Sequence, residues 1–152
     1  MRLMRRKIDD FLKEWKENED RLPLIVKGAR QIGKTASIMQ FANDNYKNVV
    51  AINFVLQQKF KSIFDDGYDV DSVVRNITLI DPSIELEPGN TIFFFDEMQD
   101  CPVCATSLKA FKIDGRYDVV CSGSLMGINY QEIESNSVGY KEDYTMHSMD
   151  FE

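Results

Sequence analysis

The chain has 152 residues, 43% of them hydrophobic, and carries 18 Lys and Arg against 25 Asp and Glu, a net charge of −7. This length supplies one well-buried core and is too short for two comfortable domains. The acidic balance argues against an extended surface for duplex DNA, since nucleic-acid binders normally cluster Lys and Arg. The basic run at residues 2–7 is typical of a solvated helix start.

Neither a signal peptide nor a membrane span is predicted. Acidic residues, and no apolar core of signal-peptide length, follow the N-terminal basic run, and no apolar run exceeds four residues. We therefore expect a cytoplasmic protein without a membrane partner.

Residues 5–17 predict an amphipathic helix. Its apolar side chains recur at helical spacing, with charged residues on the other faces. We expect residues 1–20 to pack as an N-terminal helix on a core domain at residues 21–152. Trp15 could contact a purine ring, but an aromatic side chain on an apolar stripe more often belongs to a core.

Residues 28–35 read Gly-Ala-Arg-Gln-Ile-Gly-Lys-Thr, which fits a phosphate-binding pattern with four residues between two glycines. An apolar run at residues 22–26 precedes it and a helix-forming run at residues 37–42 follows it, as the pattern requires. Glycines let consecutive backbone N–H groups point at phosphate oxygens. The alternative, a glycine-rich turn that happens to precede a lysine, is disfavoured by these flanks.

Each part of this loop has a predicted role toward a nucleotide. Lys34 supplies positive charge for the outer phosphates, and Thr35 offers a hydroxyl group to Mg²⁺. The helix that begins near Gly33 directs the positive end of its dipole at the same anion. The predicted nucleotide-binding residues are Gly28, Ala29, Arg30, Gln31, Ile32, Gly33, Lys34, Thr35 and Ala36.

The next segments predict an alternation of strands and helices. Residues 49–54 are apolar on both faces, which favours a strand buried in a parallel sheet. Short helices are predicted at residues 57–64 and 70–80, and a turn at residues 88–90. The order strand, helix, strand is that of a right-handed crossover.

An apolar strand at residues 91–95 ends in the acidic pair Asp96 and Glu97. Open parallel sheets place ligands at the carboxyl ends of their strands. Asp96 is predicted to hold Mg²⁺ together with Thr35, directly or through water. Glu97 is then free to orient or deprotonate a water molecule.

Cys101 and Cys104 have the spacing of a redox pair or of half a zinc site. A zinc site needs two more ligands, and the single histidine, His147, is distant in sequence. The three cysteines also include Cys121, an odd count that cannot be fully paired. Two small residues near a helix start are the favoured interpretation.

A helix is predicted at residues 103–112, followed by a strand at residues 117–122 that ends in Ser-Gly-Ser. Ser124 is the first candidate, and Ser122 the second, to reach the γ-phosphate or the attacking water by a hydrogen bond. A turn serine is the alternative. Residues 131–139 predict a loop and residues 144–149 a last strand.

The phosphate loop, the acidic strand Phe-Phe-Asp-Glu-Met-Gln and the Ser-Gly-Ser strand end together resemble an AAA+-like P-loop ATPase family of bacteria and archaea. In that family an N-terminal ATPase domain precedes winged-helix and nuclease-like C-terminal regions. The resemblance extends over about residues 21–152. It implies a three-layer α/β P-loop fold with a mostly parallel five-stranded sheet.

By this resemblance, residues 28–35 are the Walker A loop, Asp96 and Glu97 are the Walker B pair, and Ser124 holds the sensor position. Gln99 belongs to the family's Asp-Glu-x-Gln element. The family often has an Arg after the glycine that matches Gly139, where this chain has Tyr and Lys, so no arginine finger is assigned. The family's lid helices are also missing, and its members usually continue beyond the segment in which this chain ends, so we expect a C-terminally truncated domain.

These observations predict binding of ATP with Mg²⁺ and, in the complete protein, ATP hydrolysis to ADP with Glu97, Lys34 and Ser124 as catalytic residues. One alternative is a nucleotide-dependent switch with negligible turnover, and another is a small-molecule kinase. A neighbouring subunit in a homo-oligomer is the expected source of an arginine finger. Direct DNA binding by this domain is not expected.

Overall fold

A five-stranded parallel sheet organises the computed structural model, which describes residues 7–28, 33–124, 133 and 139–146. The strands are β1 (Leu24–Gly28), β2 (Asn48–Asn53), β3 (Thr91–Asp96), β4 (Asp118–Gly123) and β5 (Glu142–Met146). Their spatial order is β2-β3-β4-β1-β5, and each neighbouring pair is parallel. The predicted α/β fold is confirmed, with a sheet that is parallel throughout.

Helices connect the strands and cover both faces of the sheet. The α-helices are α1 (Lys7–Glu17), α2 (Lys34–Asn45), α3 (Val70–Ile80) and α4 (Leu108–Asp114), and 3₁₀ segments lie at Gln58–Phe64, Met98–Asp100 and Pro102–Ser107. The helix predicted at residues 103–112 is therefore divided between a 3₁₀ segment and α4. The Ser107 hydroxyl donates to the Cys104 carbonyl oxygen at 2.7 Å, an i to i−3 bond that suits the tighter turn.

Side chains that alternate between the two faces of the sheet form two separate hydrophobic cores. One core lies between the sheet and helices α1 and α2, and it contains Ile8, Leu12, Trp15, Leu24, Val26, Ile38, Phe41, Ala42, Tyr46, Ile92, Phe94 and Val120. The other lies under α3 and α4 and includes Ile25, Phe93, Phe95 and Phe111. Because successive strand residues face opposite sides, Phe94 enters the first core and its two neighbours enter the second. The result is the three-layer arrangement of an α/β domain.

Trp15 anchors α1 rather than facing a ligand. Its indole Nε1 donates to the Leu22 carbonyl oxygen at 2.8 Å, and its ring lies 6.1 Å from that of Phe41. Nearby, the Arg21 guanidinium pairs with the Asp118 carboxylate at 2.8 Å, and the Tyr46 hydroxyl donates to the same carboxylate oxygen. Burial first, and then this hydrogen bond, raise the pKa of Tyr46 above its ordinary value. These contacts tie the segment before β1 to the amino end of β4.

The last strand begins earlier than the sequence predicts. The predicted strand covers residues 144–149, whereas β5 is Glu142–Met146, and residues 147–149 lie outside the described residues. Its bounds follow β1, because Leu24 pairs with Glu142 and Gly28 with Met146. An edge strand takes its register from its one neighbour, which local alternation does not reveal.

The loop predicted at residues 131–139 lies mostly outside the described residues. Within it, Ile133 is buried and belongs to the core under α3 and α4. None of the helices in the described segments has the length and apolarity needed to cross a bilayer.

Candidate functional site

The carboxyl ends of β1, β3 and β4 lie side by side, because these strands are neighbours in the sheet. The chain leaves β1 at Gly28, and α2 begins at Lys34 after Gly33. Ala29, Arg30, Gln31 and Ile32 lie outside the described residues. Gly33 has φ 81°, a left-handed conformation that glycine adopts without the steric cost of a Cβ atom. Among the described residues, no side chain caps the N-terminus of α2, and its first turn contains no acidic residue, so the positive end of the helix dipole is suited to an anion.

Lys34 is a buried cation at this helix start. Only 2% of the residue is exposed, and no ion pair forms between Lys34 and any of the residues that the structure describes. Lys27, which is similarly buried on β1, pairs with Asp143 at 3.3 Å. Buried ammonium groups normally have a counter-charge, since desolvation of the ion is costly. The surroundings of Lys34 are therefore suited to a bound anion.

Asp96, which is also buried, accepts hydrogen bonds from four elements of the site. The Thr35 hydroxyl donates to its Oδ2 at 3.0 Å, the Asn53 amide donates to the same oxygen at 3.5 Å, and the Glu97 N–H donates to Oδ1 at 2.9 Å. The Ser122 hydroxyl donates to Oδ1 as well. The predicted metal-binding pair, Thr35 and Asp96, is thus brought together by α2 and β3.

The two candidate serines on β4 differ in what they contact. The Ser122 side chain is fully buried and reaches Asp96. Ser124 enters the site through its backbone N–H, which donates to the Gln99 Oε1 atom at 3.2 Å. The second choice from the sequence, Ser122, is therefore the serine whose hydroxyl touches the acidic pair. Residues two positions apart in an extended chain point to the same face of the sheet, as Ser122 and Ser124 would. The sequence alone therefore could not show which of the two hydroxyl groups reaches the acidic pair.

Glu97 follows Asp96 in an unusual backbone conformation. Its φ of 57° is the single positive value for a non-glycine residue in the described part of the chain. This conformation costs about 1–2 kcal/mol for an L-residue, and such strain concentrates at functional sites. The Glu97 Oε1 atom accepts a hydrogen bond from Gln99 Nε2 at 2.7 Å. The acidic pair thus has one carboxylate facing Thr35 and another held by Gln99.

Asn53 is a site residue that the sequence did not reveal. Besides contacting Asp96, its Oδ1 atom accepts the N–H groups of Val55 and Leu56 at 2.9 and 3.0 Å, so it shapes the turn after β2. The available signal was a polar residue that closes an apolar strand. That signal becomes informative only when β2 is known to lie beside β3.

The cysteines are packed within the domain. Cys101, Cys104 and Cys121 are buried free thiols in the core under α3 and α4. Burial raises the pKa of Cys101 to about 11, and burial together with a hydrogen bond that the Cys104 thiol donates to Cys121 raises the pKa of Cys104. Among the described residues, no group of three or more His, Cys, Asp and Glu side chains could hold a metal ion. The packing interpretation of the Cys101 and Cys104 pair fits these surroundings.

We expect slow alkylation of the cysteines in the folded protein. At pH 8 a thiol with a pKa near 11 is about 0.1% thiolate, against about a quarter for an ordinary thiol of pKa 8.5. Iodoacetamide incorporation, followed by mass spectrometry, should therefore be slow until denaturant is added, when all three cysteines react. Reaction of native Cys101 at the rate of an unfolded control peptide would contradict this burial.

Comparisons with known proteins agree with this architecture. The sequence profile of a family described as AAA domain matches residues 20–152. A search of curated protein sequences found no match.

Three solved structures share the fold at low sequence identity. Caenorhabditis elegans PCH-2 is 11% identical, with a TM-score of 0.54 over 91% of this chain and 41% of its own. Drosophila ORC bound to AT-rich DNA and Cdc6 is 10% identical, with a TM-score of 0.55 over 92% of this chain and 54% of the other. Thermotoga maritima RuvB T158V is 16% identical, with a TM-score of 0.55 over 90% of this chain and 44% of that one.

The chain thus spans between about two fifths and just over half of the length of these structures. Identities this low show a common fold and leave the activity to be argued from the site. Because the family profile covers all but the first 19 residues, the chain belongs to the AAA domain family and is an AAA+-like, nucleotide-binding P-loop domain.

Proposed function

We propose that the domain binds ATP with Mg²⁺ and hydrolyses it to ADP and phosphate. The observation that carries the proposal is Lys34, a buried ammonium group with no ion pair among the described residues, at the start of α2 and next in sequence to the Thr35 and Asp96 contact. An anion with several negative charges would supply a counter-charge to this ammonium group. The triphosphate of a nucleotide is such an anion.

The phosphate-binding part of the proposal uses Gly28 to Ala36. Backbone N–H groups of the loop and the start of α2 would face the phosphate oxygens, and Lys34 would contact the outer phosphates. Gly33, in its left-handed conformation, directly precedes α2. Binding would thus depend on the number of phosphates more than on the base.

The side chains at the end of β3 fit Mg²⁺. A hydroxyl group and a carboxylate are the hard oxygen ligands that this ion prefers, and Thr35 and Asp96 are in direct contact. The hydroxyl hydrogens of Thr35 and Ser122 can rotate away from Asp96, so the hydroxyl oxygens and the Asp96 carboxylate could face a cation. Bound Mg²⁺ would neutralise charge on the β- and γ-phosphate oxygens.

Glu97 is the proposed general base. In hydrolysis, a water oxygen forms a bond to the γ-phosphorus, the bond from that phosphorus to the bridging oxygen breaks, and the water proton passes to the Glu97 carboxylate. Asp96 is less suited to this role, since four donors already occupy its oxygens. Ser124 and the β4 end would lie beside the reacting phosphate.

A nucleotide-dependent switch is the second candidate. Lys141, which stands near the position where the resembling family often carries an arginine, is ion-paired with Asp143. A catalytic cation would then have to come from a neighbouring subunit in a homo-oligomer.

Direct contact with duplex DNA is not part of the proposal. The Drosophila ORC structure contains DNA, but this chain has a net charge of −7, which disfavours a duplex-binding surface.

Calorimetric titration of the chain with ATP in the presence of Mg²⁺ tests the proposal. We expect one site per chain, weaker binding when EDTA removes the metal, and much weaker binding of AMP, which lacks the outer phosphates. Equal affinity for AMP and ATP would refute the assignment of Lys34 and its loop. Phosphate release measured across a protein concentration series then separates an ATPase completed by a neighbour from a switch. Release without an added acceptor favours an ATPase over a kinase.

A further inference from the structure

The side chain of Gln99 lies between the acidic end of β3 and the end of β4. Its Nε2 donates to the Glu97 Oε1 atom at 2.7 Å, and its Oε1 accepts the Ser124 N–H at 3.2 Å. Only 8% of the residue is exposed, so both contacts form largely out of water. Resting on the proposed ATPase function, we propose that Gln99 is a positioning residue that orients Glu97 toward the attacking water.

The two partners determine which side chain can occupy this place. A carboxylate offers only acceptors and a backbone N–H offers only a donor, so the bridging group must donate at one end and accept at the other. An amide does both, and the partners leave it one orientation. A glutamate at position 99 would set a carboxylate against Glu97, whereas a methionine would fill a similar volume with neither bond.

The backbone conformation at Glu97 explains why its side chain needs a hydrogen-bond partner to hold it in place. Its left-handed conformation starts a single 3₁₀ turn, Met98–Asp100, closed by the Asp100 N–H on the Glu97 carbonyl oxygen at 3.1 Å. This turn fixes the backbone of Gln99 while the Glu97 side chain extends from a strained residue. The short 2.7 Å bond between the two side chains then limits the rotamers of Glu97.

Gly123 permits the close approach of β4 to this turn. A Cβ atom built on Gly123 would lie 3.1 Å from Gln99 Oε1 and 3.1 Å from Met98 Cγ, closer than side chains usually come. A side chain at position 123 would therefore press on Gln99 and Met98, and glycine avoids this contact. One strand end positions both acids, with Ser122 on Asp96 and, through Gln99, Ser124 on Glu97.

Three variants test this role by calorimetry with ATP and Mg²⁺ and by steady-state phosphate release. Gln99→Glu and Gln99→Met should retain ATP affinity within about threefold and lower kcat roughly 10- to 100-fold, the usual cost of removing a partner that orients a catalytic ligand. Gln40→Glu, at an exposed glutamine of α2, is the matched control and should leave both quantities unchanged. If Gln99 only filled space, methionine would preserve turnover, and that result would overturn the proposal.

Gly123→Ala supplies an independent test that leaves Gln99 intact. The added methyl group should displace the Gln99 amide and reduce kcat while ATP affinity and the thermal midpoint change little. Wild-type kcat in this variant, with an unchanged fold by circular dichroism, would contradict the bridge. A wild-type chain that binds no ATP would instead refute the proposed function, so the two failures are distinguishable.

Discussion

Replacement of Lys34 by alanine is expected to weaken ATP binding by about 100-fold or more, because each hydrogen bond to a charged group contributes ~1.5–3 kcal/mol and the ammonium can make several. The same change should leave the nucleotide-free protein equally stable or more stable. Its ammonium group is buried without an ion pair among the described residues, and desolvating it opposes folding. Calorimetry and thermal unfolding, each with and without ATP, measure both effects.

Lys13→Ala is the matched control for this prediction. Lys13 is an exposed residue of α1, far in sequence from the loop, and its loss should change neither ATP affinity nor the upward shift of the thermal midpoint that ATP produces. Near-normal ATP affinity in Lys34→Ala would refute the assignment of the loop. Weakened affinity with a large loss of stability would instead point to a structural role for the lysine.

Glu97→Gln is expected to lower kcat by about 10²- to 10⁴-fold, the range that general-base catalysis supplies, while ATP remains bound. Glutamine keeps the length of the side chain, and its carbonyl oxygen can still accept the hydrogen bond from Gln99. The substitution therefore removes the proton acceptor with little change of shape. Chromatography of the bound nucleotide after incubation should show ATP in the variant and ADP in the wild type.

The control for this variant is Glu14→Gln, at an exposed position of α1. It changes the net charge by the same amount and should turn over like the wild type. Unchanged hydrolysis in Glu97→Gln would place the general base elsewhere. Loss of both binding and turnover would show that Glu97 supports the architecture of the site.

Local patterns predicted most of the elements and the acidic strand end. Four apolar residues before Asp96 indicate a strand covered on both faces, and the structure buries all of β3. The helix at residues 103–112 was predicted less well, because a Pro at its first turn and the Ser107 hydroxyl bond favour a 3₁₀ start that periodicity does not distinguish. The start of β5 was also missed, since it depends on pairing with β1.

The sequence by itself determined that a glycine loop, a lysine and a threonine follow one strand and that an acidic pair follows another, because these features are encoded by residue type over short spacings. Only the tertiary structure decided which side chains meet. It placed Ser122 rather than Ser124 on Asp96, brought Asn53 to the same carboxylate and set Gln99 between Glu97 and Ser124. The site contacts that join different strands and helices depend on the strand order β2-β3-β4-β1, which brings together residues 25 to 61 positions apart and has no local signature.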